Sequence, residues 1–277
     1  MKRVPKIILN VLVWTGIAAY LIMSSHLGER KRSETKVSEI HIHIKDSTDI
    51  SIIHAKDVEK WIEQAGLNPK GKFIDSINLS DINRAIAAHD FIREVNTSIS
   101  LDGSVWIEID QRKPVLRIIT DSGYDIYYTE DQHIVPAGRH SPHYVPVVTG
   151  SLRLPFPADF SGHLPSPPEN NGKKWSHEWV FLYKLINFVS YIENNDFWQS
   201  QIVQINVVPK PESGTEHLIE LIPRVGDQVI MLGWLDNYES KLNKLMKFYR
   251  KVLPYEGWNT WSYIDLRYDG QVVCSRK

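Results

Sequence analysis

Apolar residues recur along this chain in three rhythms, and each predicts a different kind of element. The first is a continuous run, Ile7 to Met23, interrupted only by Asn10, Thr15, Gly16 and Tyr20. As a helix rising 1.5 Å per residue it would reach about 25 Å, close to the apolar thickness of a bilayer. Lys2, Arg3 and Lys6 precede the run and Ser24 and Ser25 follow it, so a cleaved signal peptide competes with an uncleaved anchor. The length of the run and the lack of an A-x-A-like cleavage site favour the anchor. Arg30, Lys31, Arg32 and Lys36 beyond the run match the basic residues before it, and the positive-inside count leaves the orientation open. The short stub ahead of the run favours a cytoplasmic amino end and an exported remainder.

The second rhythm has period two. Ile40-His41-Ile42-His43-Ile44 alternates, which predicts a half-buried strand with isoleucines inward and histidines outward. Helical spacing then takes over: Val58, Trp61, Ile62 and Ala65, with Gly66 placed to end the turn, predict a helix over Ala55 to Ala65. A second helix follows, with Ser80 as its cap and Ile82, Ala85, Ile86 and His89 on its buried side, His89 reading as a boundary residue. Val95 to Leu101 and Ser104 to Asp110 alternate on either side of Asp102-Gly103, a two-residue hairpin signal. Strand, helix, helix, strand, strand is the order of the polypeptide-transport-associated (POTRA) module, which the segment resembles; such a module works by contact, and its hairpin offers an open edge.

Beyond Gln111-Arg112-Lys113-Pro114 the pattern predicts strands at Val115 to Thr120, Tyr124 to Tyr128, His133 to Pro136 and Tyr144 to Val148. Eight of the fifteen prolines fall between Pro136 and Pro168, so that stretch reads as a rigid loop or flap. A broadly apolar helix is expected from Ser176 to Glu193, then strands at Gln201 to Val208, Glu216 to Pro223 and Gln228 to Leu232. Asp236 to Leu253 is the cleanest amphipathic helix. It places Tyr238, Leu242, Leu245, Tyr249 and Val252 inside and Lys241, Lys244, Lys247 and Lys251 on a solvated face. The chain finishes with Trp261 to Tyr268, an Asp269-Gly270 turn, and Gln271 to Arg276. A short last strand belongs at a sheet edge, where unpaired N–H and C=O groups either accept a strand from another protein or are protected by charge.

The fold class is therefore α+β: an N-terminal single transmembrane helix, a POTRA-like β-α-α-β-β domain, then a mixed β-sheet domain with flanking helices. Composition narrows the function. With 42% hydrophobic and 23% charged residues and a formal net charge of -1, the chain has no basic field for nucleic acid. There is no G-x-S-x-G elbow, no H-E-x-x-H helix and no Gly-rich phosphate loop, and Cys274 has no histidine near it in sequence. His41 and His43 share a strand face, and His133, His140 and His143 flank a loop; neither set has the ligand pattern of a metal centre. Neither cofactor nor metal is expected.

Leu101-Asp102-Gly103, Gln111-Arg112-Lys113-Pro114, Val147-Val148-Thr149-Gly150 and Ile264-Asp265-Leu266-Arg267-Tyr268, in that order and spacing, resemble the bacterial cell-division family FtsQ, also called DivIB. With Tyr127-Tyr128, the form looks closest to versions in Bacteroidota. The resemblance implies a non-enzymatic inner-membrane scaffold of the divisome. It also implies a cytoplasmic stub over 1–6, an anchor over 7–25, a POTRA-like domain over 37–113 and a β domain over 114–277. The POTRA domain would face other division proteins such as the translocase FtsK. The β domain would recruit small bitopic partners of the FtsB and FtsL kind by adding their strand to the terminal edge. Carried over by position, the partner-binding residues are Arg267 and Tyr268, followed by Gln271, Val272, Val273 and Cys274 as the pairing edge. Two rival classes remain. One is a POTRA-containing secretion or outer-membrane assembly accessory, which would usually bring repeated modules or barrel strands that the sequence lacks. The other is a membrane-anchored envelope hydrolase.

Overall fold

A computed structural model describes residues 12–23, 34–45, 52–138, 144–165, 175–209 and 217–277. The chain divides into two compact units, Met1–Gln111 and Arg112–Lys277. Residues 12–23 are helical and exposed, Leu12, Trp14, Tyr20 and Met23 among them. The predicted apolar run starts at Ile7, and residues 7–11 lie outside the described residues. Among those that are described, no helix is long and apolar enough to cross a membrane.

In the first unit, strand β1 (Glu39–Ile44) is followed by helices α1 (Ala55–Gln64) and α2 (Leu79–Ala87) and strands β2 (Ile92–Ile99) and β3 (Ser104–Gln111). The sheet order is β1-β3-β2, so the last strand runs down the middle, parallel to β1 and antiparallel to β2. Its alternation is strict because one face must be dry: Val105, Ile107 and Ile109 are buried while Trp106 and Glu108 are exposed. Val58 and Ile62 of α1 and Ile82 and Ile86 of α2 are buried too, as are Ile74 and Phe91. In β1 the isoleucines are only half-buried, His43 is exposed, and His41 stacks on Trp106 with ring centroids 4.3 Å apart. His89 stacks on Trp61 at 3.6 Å.

Two local expectations are corrected. Asn78, not Ser80, caps α2: its side-chain oxygen accepts the Ser80 N–H at 3.1 Å, because the capping group sits one residue ahead of the first helical turn. The β2–β3 connection is Ser100 to Gly103, longer than a two-residue turn. There the Asp102 carboxylate accepts the Ser104 N–H at 2.9 Å, which holds its pKa below the ordinary value.

The second unit is built on one ten-stranded sheet. Its strands are β4 (Pro114–Thr120), β5 (Asp125–Thr129), β6 (His133–Pro136), β7 (Val147–Gly150), β8 (Gly162–His163), β9 (Ile202–Pro209), β10 (His217–Pro223), β11 (Val229–Gly233), β12 (Trp261–Asp265) and β13 (Val273–Arg276). They lie in the order β13-β12-β11-β10-β9-β7-β4-β5-β6-β8. Helices α3 (His177–Glu193), α4 (Asp196–Gln201), α5 (Tyr238–Lys251) and α6 (Leu253–Glu256) complete it. Leu182, Leu185 and Val189 of α3 and Leu242 and Leu245 of α5 join Ile118, Ile205 and Leu221 of the strands in one core.

The proline-rich stretch is not simply a flap. Val147–Gly150 lies inside it and forms a central strand, parallel to β4 on one side and to β9 on the other. The motif's Gly150 is required there: its φ is 105°, and a Cβ would lie 2.2 Å from the Val207 carbonyl oxygen. Helix α5 is shorter than the expected Asp236 to Leu253, since α6, a separate turn with Pro254 in it, follows from Leu253.

Gln111, at the end of β3, is 1% exposed, and its side-chain oxygen lies within reach of the backbone N–H groups of Ile52 and Ile53, at 3.2 and 3.4 Å. Gln111→Leu should lower the stability of the first unit by about 1–3 kcal/mol, because buried donors lose their acceptor. Chemical denaturation of the full chain, followed by amide hydrogen exchange of Val105 to Ile109, measures this; an unchanged midpoint would contradict the role.

Candidate docking edge

The carboxyl-terminal strand β13 stands at one end of the ten-stranded sheet, and β12 is its one strand neighbour among the described residues. The pair is antiparallel, with Ile264 opposite Cys274 and Asp265 opposite Val273, and its register shifts between Trp261 and Tyr263. A bulge of this kind twists an edge and shortens the part that stays regular. The Ser262 hydroxyl bonds to the Ser275 and Arg276 carbonyls there, at 3.2 and 3.4 Å.

The strands on either side of the turn are shorter than the sequence suggests. Strand β12 ends at Asp265, so Arg267 and Tyr268 lie in the connection, and β13 starts at Val273, so Gln271 and Val272 precede it. The connection thus runs from Leu266 to Val272 rather than over a two-residue Asp269-Gly270 turn. It leaves the ladder early because side chains and a buried leucine, rather than cross-strand pairing, satisfy it. Leu266 is fully buried and its N–H donates to the Met231 carbonyl at 2.9 Å.

Arg267 is not a free cation. Its Nη2 donates to Asp265 Oδ2 at 2.7 Å, its Nε to Oδ1 at 3.0 Å, and its backbone N–H to Oδ1 at 3.0 Å. Burial alone would push the Asp265 carboxyl up, but the Arg267 hydrogen bonds and charge hold it below its ordinary value; the same bonds raise the Arg267 pKa. The stem of Arg267 crosses Gly233, which ends β11: φ there is 82°, and a Cβ would lie 2.6 Å from Arg267 Cγ. Only glycine lets the arginine pass so close. The Tyr268 ring, 48% exposed, sits 6.0 Å from the Arg267 guanidinium. On the edge itself the side chains alternate: Val272 and Cys274 are half-buried against the core, while Val273 is exposed. Burial pushes the Cys274 thiol up.

Lys244 was expected on a solvated face and is instead half-buried. Its ammonium donates to the Leu266 carbonyl at 2.9 Å, the Gln271 carbonyl at 3.2 Å and the Tyr268 carbonyl, closing the connection with three bonds. Periodicity could not reveal this, because backbone carbonyls carry no sequence signal. Asp265 and Arg267 could have been paired from sequence, since alternate residues of an extended segment share a face. Of the histidines set aside above, His140 and His143 lie outside the described residues.

A family model described as FtsQ/DivIB, C-terminal related, matches residues 113–275, and one described as POTRA-like domain matches residues 35–110. A comparison with curated proteins finds no match. The fold and these matches define a class: proteins in which a POTRA-like module precedes a mixed-sheet domain of the FtsQ/DivIB kind. The match over the second unit goes further. This chain belongs to the FtsQ/DivIB family, which supports a cell-division scaffold role with protein–protein contacts in the divisome and a place at the division septum.

Lys244→Met should lower the stability of the second unit by about 1–3 kcal/mol, read as a lower denaturation midpoint, because three carbonyls lose a charged donor. Asp265 gives a pH test. Its carboxyl is harder to protonate folded than unfolded, so it stabilises above the ordinary carboxylate range and that contribution fades as pH falls through the lowered folded value. Asp265→Asn should therefore melt well below the parent near neutral pH, with the gap narrowing towards about pH 2; a gap independent of pH would contradict the ion pair's role.

Proposed function

We propose that this chain is a single-pass inner-membrane scaffold of the divisome whose β13 edge recruits small bitopic division proteins of the FtsB and FtsL kind by strand addition. One observation carries the reading: β13 has a single strand neighbour among the described residues, yet the connection leading to it is held by the Asp265–Arg267 pair and by Lys244. A fixed edge with an open side is a template for backbone pairing, and Tyr268 beside it is a suitable aromatic anchor. Arg267, engaged with Asp265, positions that tyrosine.

Anchoring supplies the second part. Residues 7–25 cross the membrane, 1–6 stay cytoplasmic, and the POTRA-like module and the β domain are periplasmic, where partners meet them at the septum. Supporting this, the apolar side chains of residues 12–23 are exposed, Trp14 by 70% and Ile22 by 62%, as suits contact with lipid. The POTRA-like module contacts further division proteins such as FtsK.

Strand addition has a period-two signature. In a Cys274→Ser background, Val273→Cys in the full chain should form disulfides with single cysteines placed at alternate positions along an FtsB-like partner segment, while intervening positions stay unlinked. Tyr268→Glu should weaken capture of that segment by about tenfold with an unchanged melting profile. Cross-links with helical spacing, or none, together with undiminished capture by Tyr268→Glu, would overturn the reading.

A further inference from the structure

We propose that the cavity where β7 and β9 begin is a binding site for an amino-acid head group, a small ligand carrying an ammonium and a carboxylate together. Strands β10, β11 and β12 stand between β9 and the terminal edge, so this site is distinct from the docking edge. The cavity measures about 610 Å³, within the span of small-molecule sites. Val145, Pro146, Val147 and Ile202 make its strand side apolar. Glu193 and Arg224 line the same space, and neither is ion-paired with the other.

Glu193 is the last residue of α3, a helix of 17 residues. Half-buried, its carboxylate has the Gln199 side-chain amide, at 3.3 Å, as its one partner among the described residues. A neutral amide at that distance offsets little of the lost hydration. Burial pushes the Glu193 carboxyl up, opposed only by that amide. The helix adds to the deficit: its carboxyl end is the negative pole of the aligned peptide dipoles, and no basic residue stands in its last turn. An ammonium arriving here meets a carboxylate and a helix end that both favour it.

Arg224, directly after β10, has the complementary deficit. Its Nε donates to the Ser200 carbonyl at 2.8 Å and its Nη2 to the Tyr144 hydroxyl, and the guanidinium lies 5.7 Å from the centre of the Tyr144 ring. These contacts hold the planar group still, yet all of them are neutral. Its Nη1 keeps both hydrogens without a protein acceptor among the described residues, and a carboxylate is the group that suits such a fork. A simple cation would answer Glu193 alone and a simple anion Arg224 alone. A zwitterion answers both, with its aliphatic part against the apolar strand side. Two sources supply that chemistry: a free amino acid, and a peptide whose diamino-acid side chain ends in a second head group.

Calorimetric titration of the full chain in detergent tests this with L-leucine, N-acetyl-L-leucine, which lacks the ammonium, and L-leucinamide, which lacks the carboxylate. The parent should bind leucine about tenfold more tightly than either analogue. Glu193→Gln should weaken leucine and leucinamide about tenfold and leave N-acetyl-leucine unchanged; Arg224→Gln should weaken leucine and N-acetyl-leucine and leave leucinamide unchanged. A tripeptide capped at both ends, with 2,6-diaminopimelate at its centre, separates the sources when compared with leucine and with the same peptide carrying lysine there. Tighter binding of the diaminopimelate peptide than of leucine assigns the site to a peptide, and the reverse to a free amino acid. Melting profiles report whether each variant folds; if Arg224→Gln does not, the analogue series on the parent and on Glu193→Gln decides. Equal binding of leucine and both analogues by the parent, binding of neither leucine nor the diaminopimelate peptide, or a loss in Glu193→Gln that ignores whether the ligand carries an ammonium would overturn the assignment.

Discussion

The terminal edge depends on how a connection of seven residues is kept from fraying. Four residues of β13 pair with one neighbour across a bulged register, which by itself would open readily. Two polar devices prevent it. Lys244 gathers the carbonyls of Leu266, Tyr268 and Gln271 onto one ammonium, and Asp265 fixes Arg267 against Gly233. Both act from a rigid base: α5 carries Lys244 on a helix whose Leu242 and Leu245 are fully buried, and Gly233 ends a strand in the sheet. Strand β13 is thereby held in one arrangement, with β12 as its one strand neighbour among the described residues.

The sheet explains why that arrangement sits where it does. Strand β12 runs parallel to β11, and helices α5 and α6 make the crossover between them. The crossover places α5 beside the terminal connection, which is how a lysine from one side of the crossover reaches carbonyls beyond the other. At the opposite side of the sheet's centre, β7 joins β4 and β9 through parallel pairing, tying the segments before and after α3 into one layer.

Much of this was legible in the sequence, for physical reasons that differ by element. Alternation located β3 and β4, helical spacing located α1 and α5, and His133 to Pro136 reads as a strand because turn residues bound it closely. What was not legible is what depends on distant or featureless partners. A strand is legible at Tyr144 to Val148, but that it runs over Val147–Gly150 and sits at the sheet's centre is not, because its strand neighbours, Arg117 to Thr120 and Gln204 to Val207, are far away in sequence. Lys244 looked solvated because its acceptors are main-chain oxygens. Asn78 and Ser80 are both polar residues near the start of α2, and only the backbone angles single out Asn78 as its cap. At the site, the terminal strand was placed too early by two residues, since Gln271 and Val272 continue the alternation that β13 begins. The Asp265–Arg267 pair is legible only as two opposite charges on alternate residues.

The central claim is that β13 is a held but unsatisfied edge. Amide hydrogen exchange over residues 265–277, in the full chain with and without an FtsB-like partner segment, tests it most directly. The account predicts intermediate protection in the free protein from β12 pairing, faster exchange in the Lys244→Met variant, and a strong added protection of Val273 to Arg276 on partner binding. Partner binding that leaves those four amides exchanging at their free rate, while protecting another surface, would contradict it.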